Sequence, residues 1–226
     1  MRARPVALSN YRHSLARAGR ITSSRVATII DGNYKAWNTL ATKMRTAKPA
    51  PIGSQRNTGV APLDWGHRYE DQACDMFWLH HPEYEMYDEH WCYWHDPRAK
   101  VLYELCGTSP DRTLYQDMSL VSGVEAKCPY DPQIFRRYWS EARLPPEYRP
   151  QVTWHQIVCN SNDWWFVAFD PRAEEEVKYF EVKCERDPAY ESMFMEKINR
   201  FIGGFLAGET FKPTMYNSTT YLELFK

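Results

Sequence analysis

The chain lacks the features that would mark it as secreted, membrane-bound or cluster-binding. Its six cysteines, Cys74, Cys92, Cys106, Cys128, Cys159 and Cys184, are scattered, with no CxxC pair among them. That spacing excludes clustered thiolates for an iron–sulfur centre or a zinc site, and it suits reduced thiols in a cytoplasmic protein rather than a disulfide frame. No run of about 18 apolar residues occurs, so no membrane-spanning helix is expected. The N-terminal MRARPVALSNYRHSLARAGR has no apolar stretch of the kind that heads a secretory signal. Internal repeats and low-complexity tracts are missing too. Acids are almost absent from the first quarter of the chain: residues 1–56 hold eleven Lys or Arg against one acid, Asp31.

What is present is a large apolar and aromatic fraction. With 226 residues, 43% hydrophobic and 15% aromatic, the chain can build one sizeable core, and a single domain over 1–226 is expected rather than two. The formal net charge is −1, but it is the balance of two unequal parts: about +10 over residues 1–56 and about −11 over the remainder. Such an asymmetry favours a polyanion for the N-terminal part. The plainer reading is a basic face docking on an acidic one, within the chain or between subunits.

Periodicity and caps outline the elements. Thr22 or Ser23 can cap a short helix through Ile30, and Tyr34 to Met44 forms another. Residues 46–62, TAKPAPIGSQRNTGVAP, read as a loop or connector. Leu63, Trp65, Tyr69, Ala73, Met76, Phe77 and Leu79 fall near helical spacing. The aromatic alternation of YEMYDEHWCYWHD reads as strand, as do residues 101–106 and 111–129, the latter turning at Gln116 to Ser119. Helices follow at about 131–142 and 147–160, then strands WWFVAFD and VKYFEVKCE, then an amphipathic helix from Asp187 to Gly208. The order implies an α/β (α+β) fold, a mixed sheet flanked by helices. The expected divisions are a basic helical segment at about 1–45, a core at about 63–208 and a peripheral tail at about 209–226.

One strand carries an anomaly. In VSGVEAKCPY the run is mostly apolar, yet Glu125 and Lys127 stand two apart and so project from one face. Glu-x-Lys recurs at Glu176/Lys178 and Glu181/Lys183, where alternating charges read as the wet face of an edge strand. The first instance differs because Val121, Val124, Cys128 and Pro129 argue against full exposure. A hairpin centred on Met118 would also set Asp111 opposite Glu125, with Cβ atoms roughly 5 Å apart. Two carboxylates that close repel unless a cation lies between them. With the Ala126 carbonyl and water they make a hard oxygen set, suited to Mg²⁺ or Mn²⁺ over Zn²⁺. Lys127 would then orient or deprotonate a water, or stabilise a phosphorane-like charge, and such a site hydrolyses phosphodiesters. Glu70, on the Trp65–Tyr69 helix, is a further carboxylate that spacing alone cannot place. The competing reading is a solvent-exposed hairpin with incidental charges.

Residues 123–129, GVEAKCP, resemble the G-x-E-x-K-C-P core of the lambda-type phage exonucleases, the YqaJ-type viral recombinases of the PD-(D/E)XK nuclease superfamily. Ser109 to Asp111 (SPD) resembles their S-P-D element, and Trp65 to Glu70 (WGHRYE) resembles W-G-x-x-Y-E. Arg17 to Ser24 (RAGRITSS) resembles R-x-G-x-I-T-A-S. Gln151-Val152, followed by Trp164-Trp-Phe and by Asp170 to Arg172, resembles the family's helix-then-strand segment. The five run in order from about residue 11 to 208.

The resemblance implies a restriction-endonuclease-like core, a central mixed β-sheet with helices on both sides. It implies Mg²⁺-dependent 5′-to-3′ digestion of one strand of linear duplex DNA from an end, leaving 3′ single strands for recombination by annealing. Asp111, Glu125 and Lys127 match the catalytic set and Glu70 the extra acid; Asp111, Glu125 and the Ala126 carbonyl would hold the metal. Arg17, Ser24 and Ser109 match positions that take the terminal 5′-phosphate, and a guanidinium with hydroxyls suits a phosphate monoester. Gln151 matches a motif glutamine near the site and is grouped with the DNA-binding positions. The structural alternatives are a surface salt bridge for Arg17, a helix cap for Ser24 and a polar helix residue for Gln151. The family further implies a homotrimer ring threaded by DNA, a single-strand annealing protein as partner, and a phage or prophage gene product in the bacterial cytoplasm. Three departures stand out: His13 where the family has Trp, Arg112 where Gly is usual after the aspartate, and Ser23 in place of Ala. The remaining alternatives are an end-independent endonuclease on the same core and a non-catalytic DNA-end binder.

Overall fold

Buried apolar strands bracketed by capped helices give the chain its order. The computed structural model describes residues 5–7, 10–49, 61–88 and 90–212. The elements run β1 (Pro5–Ala7), α1 (Asn10–Arg17), α2 (Ser23–Ile30), α3 (Tyr34–Arg45), α4 (Ala61–His80), β2 (Glu85–Asp88), β3 (His90–Tyr93), α5 (Lys100–Leu105), β4 (Gly107–Thr108), β5 (Arg112–Gln116), β6 (Ser119–Lys127), α6 (Pro132–Glu141), α7 (Arg149–Cys159), β7 (Asp163–Phe169), β8 (Tyr179–Glu185) and α8 (Pro188–Leu206). Side-chain caps set several starts: Asn33 accepts from Lys35 and Ala36 at α3, Asp131 from Gln133 at α6, and Asp187 from Tyr190 at α8.

The five-stranded sheet has the order β2-β5-β6-β7-β8, and a separate three-stranded sheet the order β1-β3-β4. In the larger sheet only β6 and β7 pair in parallel, the crossover between them carrying α6 and α7. The expected central mixed sheet is therefore present, with helices on both faces. Val124, Ala126 and Cys128 of the β6 segment join Val167 and Phe169 of β7 against Ala73, Cys74 and Phe77 of α4. The opposite face sends Trp164, Phe166 and Ala168 into a core shared with α2, α3, α6, α7 and α8. β6 and β7 are thus covered on both sides, which is why they read as near-continuous apolar runs.

Four expectations need correction. Of the expected strand 101–106, residues 101–105 lie in α5 and only Cys106 is extended, bridging to Ile21; Val101, Leu102 and Leu105 pack one helical side on the core, and so short a run cannot by itself distinguish the two periods. The YEMYDEHWCYWHD strand is two strands in two different sheets. α4 starts at Ala61, inside the stretch 46–62 read as loop; residues 50–60 of that stretch lie outside the described residues. The tail expected to be peripheral from about 209 holds Phe211, which is buried against Trp37, Phe201 and Gly204. Asn38 brackets the Phe211 backbone, accepting from its N–H and donating to its carbonyl. Residues 213–226 lie outside the described residues. Among the described residues, no helix is long and apolar enough to cross a membrane.

Candidate active site

The β5–β6 hairpin brings its two carboxylates together through a register that depends on an irregularity. The turn at Asp117 and Met118 places both in left-handed conformation, φ 50° and 59°, as a two-residue turn matched to strand twist requires. From it the pairing runs Gln116↔Ser119 and Tyr115↔Leu120, then shifts by one residue and continues Leu114↔Ser122, Thr113↔Gly123 and Arg112↔Val124. The bulge advances the register so that Asp111, just before β5, stands level with Glu125. Without it Asp111 would face Val124 and sit on the wrong side of the sheet.

Asp111 Oδ2 accepts the Ala126 amide N–H at 2.7 Å. Its own carbonyl accepts from Arg112 Nη1 at 2.7 Å, while Arg112 Nη2 reaches Asp71 Oδ1 of α4 at 2.7 Å. The arginine that departs from the family's glycine therefore ties the Asp111 backbone to the helix carrying Glu70. Glu125 is 1% exposed, and both its oxygens are engaged. Oε1 accepts from Lys127 Nζ and from Gln151 Nε2 of α7. Oε2 accepts from His155 Nε2 at 2.9 Å, and His155 Nδ1 lies 2.7 Å from Thr108 Oγ1. Lys127 Nζ also donates to the Ala126 carbonyl at 3.1 Å. The other two Glu-x-Lys pairs behave as edge-strand charges: Lys178 pairs with Glu175 and Lys183 with Asp163.

The electrostatics follow from this crowding. Burial, and then the nearby charge of Glu125, pushes the Asp111 carboxyl well above the usual range; Glu70 adds to the push, and Lys127 and the Ala126 amide oppose it. Burial acts on Glu125 in the same direction, but Lys127 and His155 outweigh it and hold the carboxyl down at about 2. Lys127 loses by burial and gains more from Glu125 and Asp111, so its ammonium is held protonated. Among the described residues no group of three or more His, Cys, Asp or Glu side chains could hold a metal ion by itself. The oxygen set at hand is two carboxylates and a carbonyl, and the Lys127 ammonium already bridges Glu125 Oε1 and the Ala126 carbonyl. A cation thus touches two of the three expected ligands, and the third, Asp111, carries excess negative surroundings. That donor set fits a hard dication completed by water.

The N-terminal helices approach the same end of the sheet. Arg17 Nη2 donates to Ser24 Oγ at 3.4 Å, and Ser24 shares a 3.1 Å hydrogen bond with Thr22 Oγ1. Thr22 stands at the N-cap of α2 but makes no side-chain capping bond; its hydroxyl meets that of Ser24, which in turn meets Arg17. Burial and the adjacent Arg25 lower the Arg17 pKa, while Asp111 and Glu125 act to raise it. Arg25 Nη1 is bonded to the carbonyls of Arg20 and Arg17. Among the described residues neither Arg17 nor Arg25 has a carboxylate within ion-pair distance. Ser109 Oγ is 2.7 Å from His13 Nε2, one turn before Arg17 on α1, so the residue standing in place of the family's Trp reaches the third expected phosphate contact.

The structure therefore gathers Asp111, Glu125, Lys127, Gln151 and the Ala126 carbonyl directly, and brings Glu70 within electrostatic reach. Gln151 lies at the site through its hydrogen bond to the Glu125 carboxylate. Sequence reasoning passed over His155, Thr108 and Arg25. Gln151 and His155 are four apart, one turn on a single helix face, and that spacing was the available signal for His155.

The matches to known proteins cover the same ground. A family model described as the YqaJ-like viral recombinase domain matches residues 13–162. No curated protein matches the chain. Among solved structures, an alkaline exonuclease (LHK-Exo) from Laribacter hongkongensis superposes with a TM-score of 0.69 at 19% identity, covering 87% of this chain and 93% of that one. LHK-Exo in complex with dAMP gives 0.71 at 20% identity, with the same coverage. A phage-related exonuclease from Haemophilus somnus 129PT gives 0.53 at 10% identity, over 84% of this chain and 96% of that one.

Proposed function

Since the chain belongs to the YqaJ-like viral recombinase family, we propose that it is a metal-dependent deoxyribonuclease that digests one strand of linear duplex DNA from a 5′-phosphorylated end. The observation that carries this reading is the buried Glu125, hydrogen-bonded to Lys127 and level with Asp111 at one end of the sheet. The alkaline exonuclease and phage-related exonuclease that share the fold support it by analogy.

Asp111, Glu125 and the Ala126 carbonyl would hold Mg²⁺, with Mn²⁺ as a substitute, and Glu70 adds negative charge beside Asp111. The bound ion supplies Lewis-acid stabilisation and an acidified water. Lys127, held protonated by its two carboxylate neighbours, is placed to neutralise charge that develops on the phosphate. Gln151 donates to Glu125 Oε1 from α7. Arg17 with Ser24, and Ser109 on the neighbouring segment, take the terminal phosphate; the Arg17 and Arg25 guanidiniums, which among the described residues have no carboxylate within ion-pair distance, favour a dianion there. Digestion then runs 5′ to 3′ and leaves a 3′ single strand, the substrate of an annealing protein, and a homotrimer ring would keep the enzyme on its DNA.

The test is nucleotide release from linear duplex DNA with Mg²⁺, comparing 5′-phosphate with 5′-hydroxyl ends and with closed circles. Release from linear DNA with preference for 5′-phosphate is expected, and Lys127→Ala should abolish turnover while leaving DNA binding intact. Wild-type rates in Lys127→Ala would sink the assignment. Nicking of closed circles would instead favour an end-independent endonuclease, and tight end binding without cleavage a non-catalytic end binder.

A further inference from the structure

The two oxygens of Glu125 are held in different ways. Oε1 meets the ends of two side chains that can swing: Lys127, whose side chain is 25% exposed, and the half-buried Gln151. Oε2 meets His155, which is fully buried and cannot swing. Its imidazole lies flat on the Trp164 indole, with centroids 4.9 Å apart and planes at 6°. Its far nitrogen is fixed by Thr108 of β4. The chemistry of that chain is directional. A carboxylate only accepts, so Nε2 carries the hydrogen; in the neutral ring Nδ1 is then an acceptor, and the Thr108 hydroxyl donates to it.

We propose that His155 is a positioning residue of the metal site: it holds Glu125 through Oε2, so that Oε1 would face a bound ion. Thr108, by fixing the tautomer, is the outer member of the same chain. The ion in this inference rests on the nuclease reading above; the hydrogen-bond chain does not. Oε1, whose donors Lys127 and Gln151 sit on partly exposed side chains, would be the oxygen available to a bound ion. Outer partners of this kind act by orienting the ligand, and their loss weakens metal binding or activity by about 10–100-fold.

Two measurements test the proposal. In metal-free protein, long-range nitrogen–proton correlation of the histidine rings should find His155 protonated at Nε2, in a signal that disappears in His155→Gln. A ring with bare Nε2 overturns the proposal. The second measurement is Mn²⁺ affinity without DNA, by electron paramagnetic resonance, with melting curves in chelator as a check on folding. His155→Leu should weaken Mn²⁺ binding by about 10–100-fold. His155→Gln, whose amide N–H can reach the same oxygen, should recover most of the loss, and Thr108→Val should weaken binding by a smaller factor. In turnover assays the KM for DNA ends should stay unchanged while kcat falls at limiting Mg²⁺.

Wild-type Mn²⁺ affinity in folded His155→Leu overturns the proposal, as does a loss in His155→Gln equal to that in His155→Leu. If His155→Leu does not fold, Thr108→Val and His155→Gln decide, and an unweakened Thr108→Val counts against the chain. A wild-type protein that neither binds Mn²⁺ nor releases nucleotides sinks the nuclease reading and this role with it, whatever tautomer His155 shows.

Discussion

Asp111 has two other acids, Glu125 and Glu70, and one ammonium, Lys127, within electrostatic reach. Its carboxyl is pushed up by burial and by those acids, whereas an unfolded chain returns it to the ordinary range near 3.9. Between the two values the folded protein holds a proton that the unfolded chain releases. Stability is therefore greatest below that window and falls as pH rises through it. Asp111→Asn removes the buried charge while keeping an acceptor for the Ala126 amide. In chelator at neutral pH it should melt higher than wild type, by about 2–4 °C for each kcal/mol regained, and its melting point should lose pH dependence across the window. Mg²⁺ should raise the melting point of wild type and not that of Asp111→Asn, because only the former gains a ligand on folding. A variant that melts below wild type in chelator would contradict the electrostatic account. These residues were legible because their spacing on one hairpin is local. His155 was less legible: its spacing from Gln151 marks a shared helix face, but a histidine on an apolar face looks the same whether it meets a buried carboxylate or a core carbonyl.

Strand β6 concentrates the constraints of the fold. A Cβ at Gly123 would lie 2.1 Å and 2.4 Å from atoms of the Trp164 ring and 2.7 Å from the Arg112 carbonyl. The ring is fully buried and backs His155, and the carbonyl belongs to the paired strand, so neither can yield freely. Gly123→Ala should therefore destabilise the protein by about 1–3 kcal/mol and weaken Mn²⁺ binding through the displaced indole–imidazole stack. Calorimetry and metal titration read the two effects separately, and an unchanged melting point would show that the hairpin can part from β7 at little cost. The GVEAK pattern disclosed the strand and its acid, but not why glycine precedes them, since the partner ring lies on β7, some forty residues away. The hairpin was legible for a related reason. A turn at Gln116 to Ser119 and a pairing of Asp111 with Glu125 differ by half a residue, and the bulge between Leu114 and Tyr115 reconciles them. Only three-dimensional packing selects that bulge. The α5 error has the opposite origin: a short amphiphilic run carries too little period to decide, and its half-buried seat on the core did so instead.

At the scale of the molecule, the charge asymmetry found in the sequence acquires a place. Arg17 and Arg25 of the basic segment stand beside the carboxylate end of the sheet, while Lys35, Lys43 and Arg45 of α3 are exposed. The segment is not a detached arm: Ile21 bridges to Cys106, and α2 and α3 complete the main core. A protein with net charge −1 gains nothing from its total charge on meeting DNA, so attraction must come from this local field. Binding of a 5′-phosphorylated duplex in chelator should weaken linearly in log affinity against log salt, with a slope near −0.9 for each phosphate neutralised. The competing use of the same charge, a basic face against an acidic one between subunits, predicts a different first casualty of salt. Light scattering should give a mass of about 80 kDa for a homotrimer of this chain. If the basic segment serves DNA, the mass should persist at salt that abolishes binding. If it serves the interface, the assembly should dissociate first, and the slope would then report subunit contacts rather than phosphates.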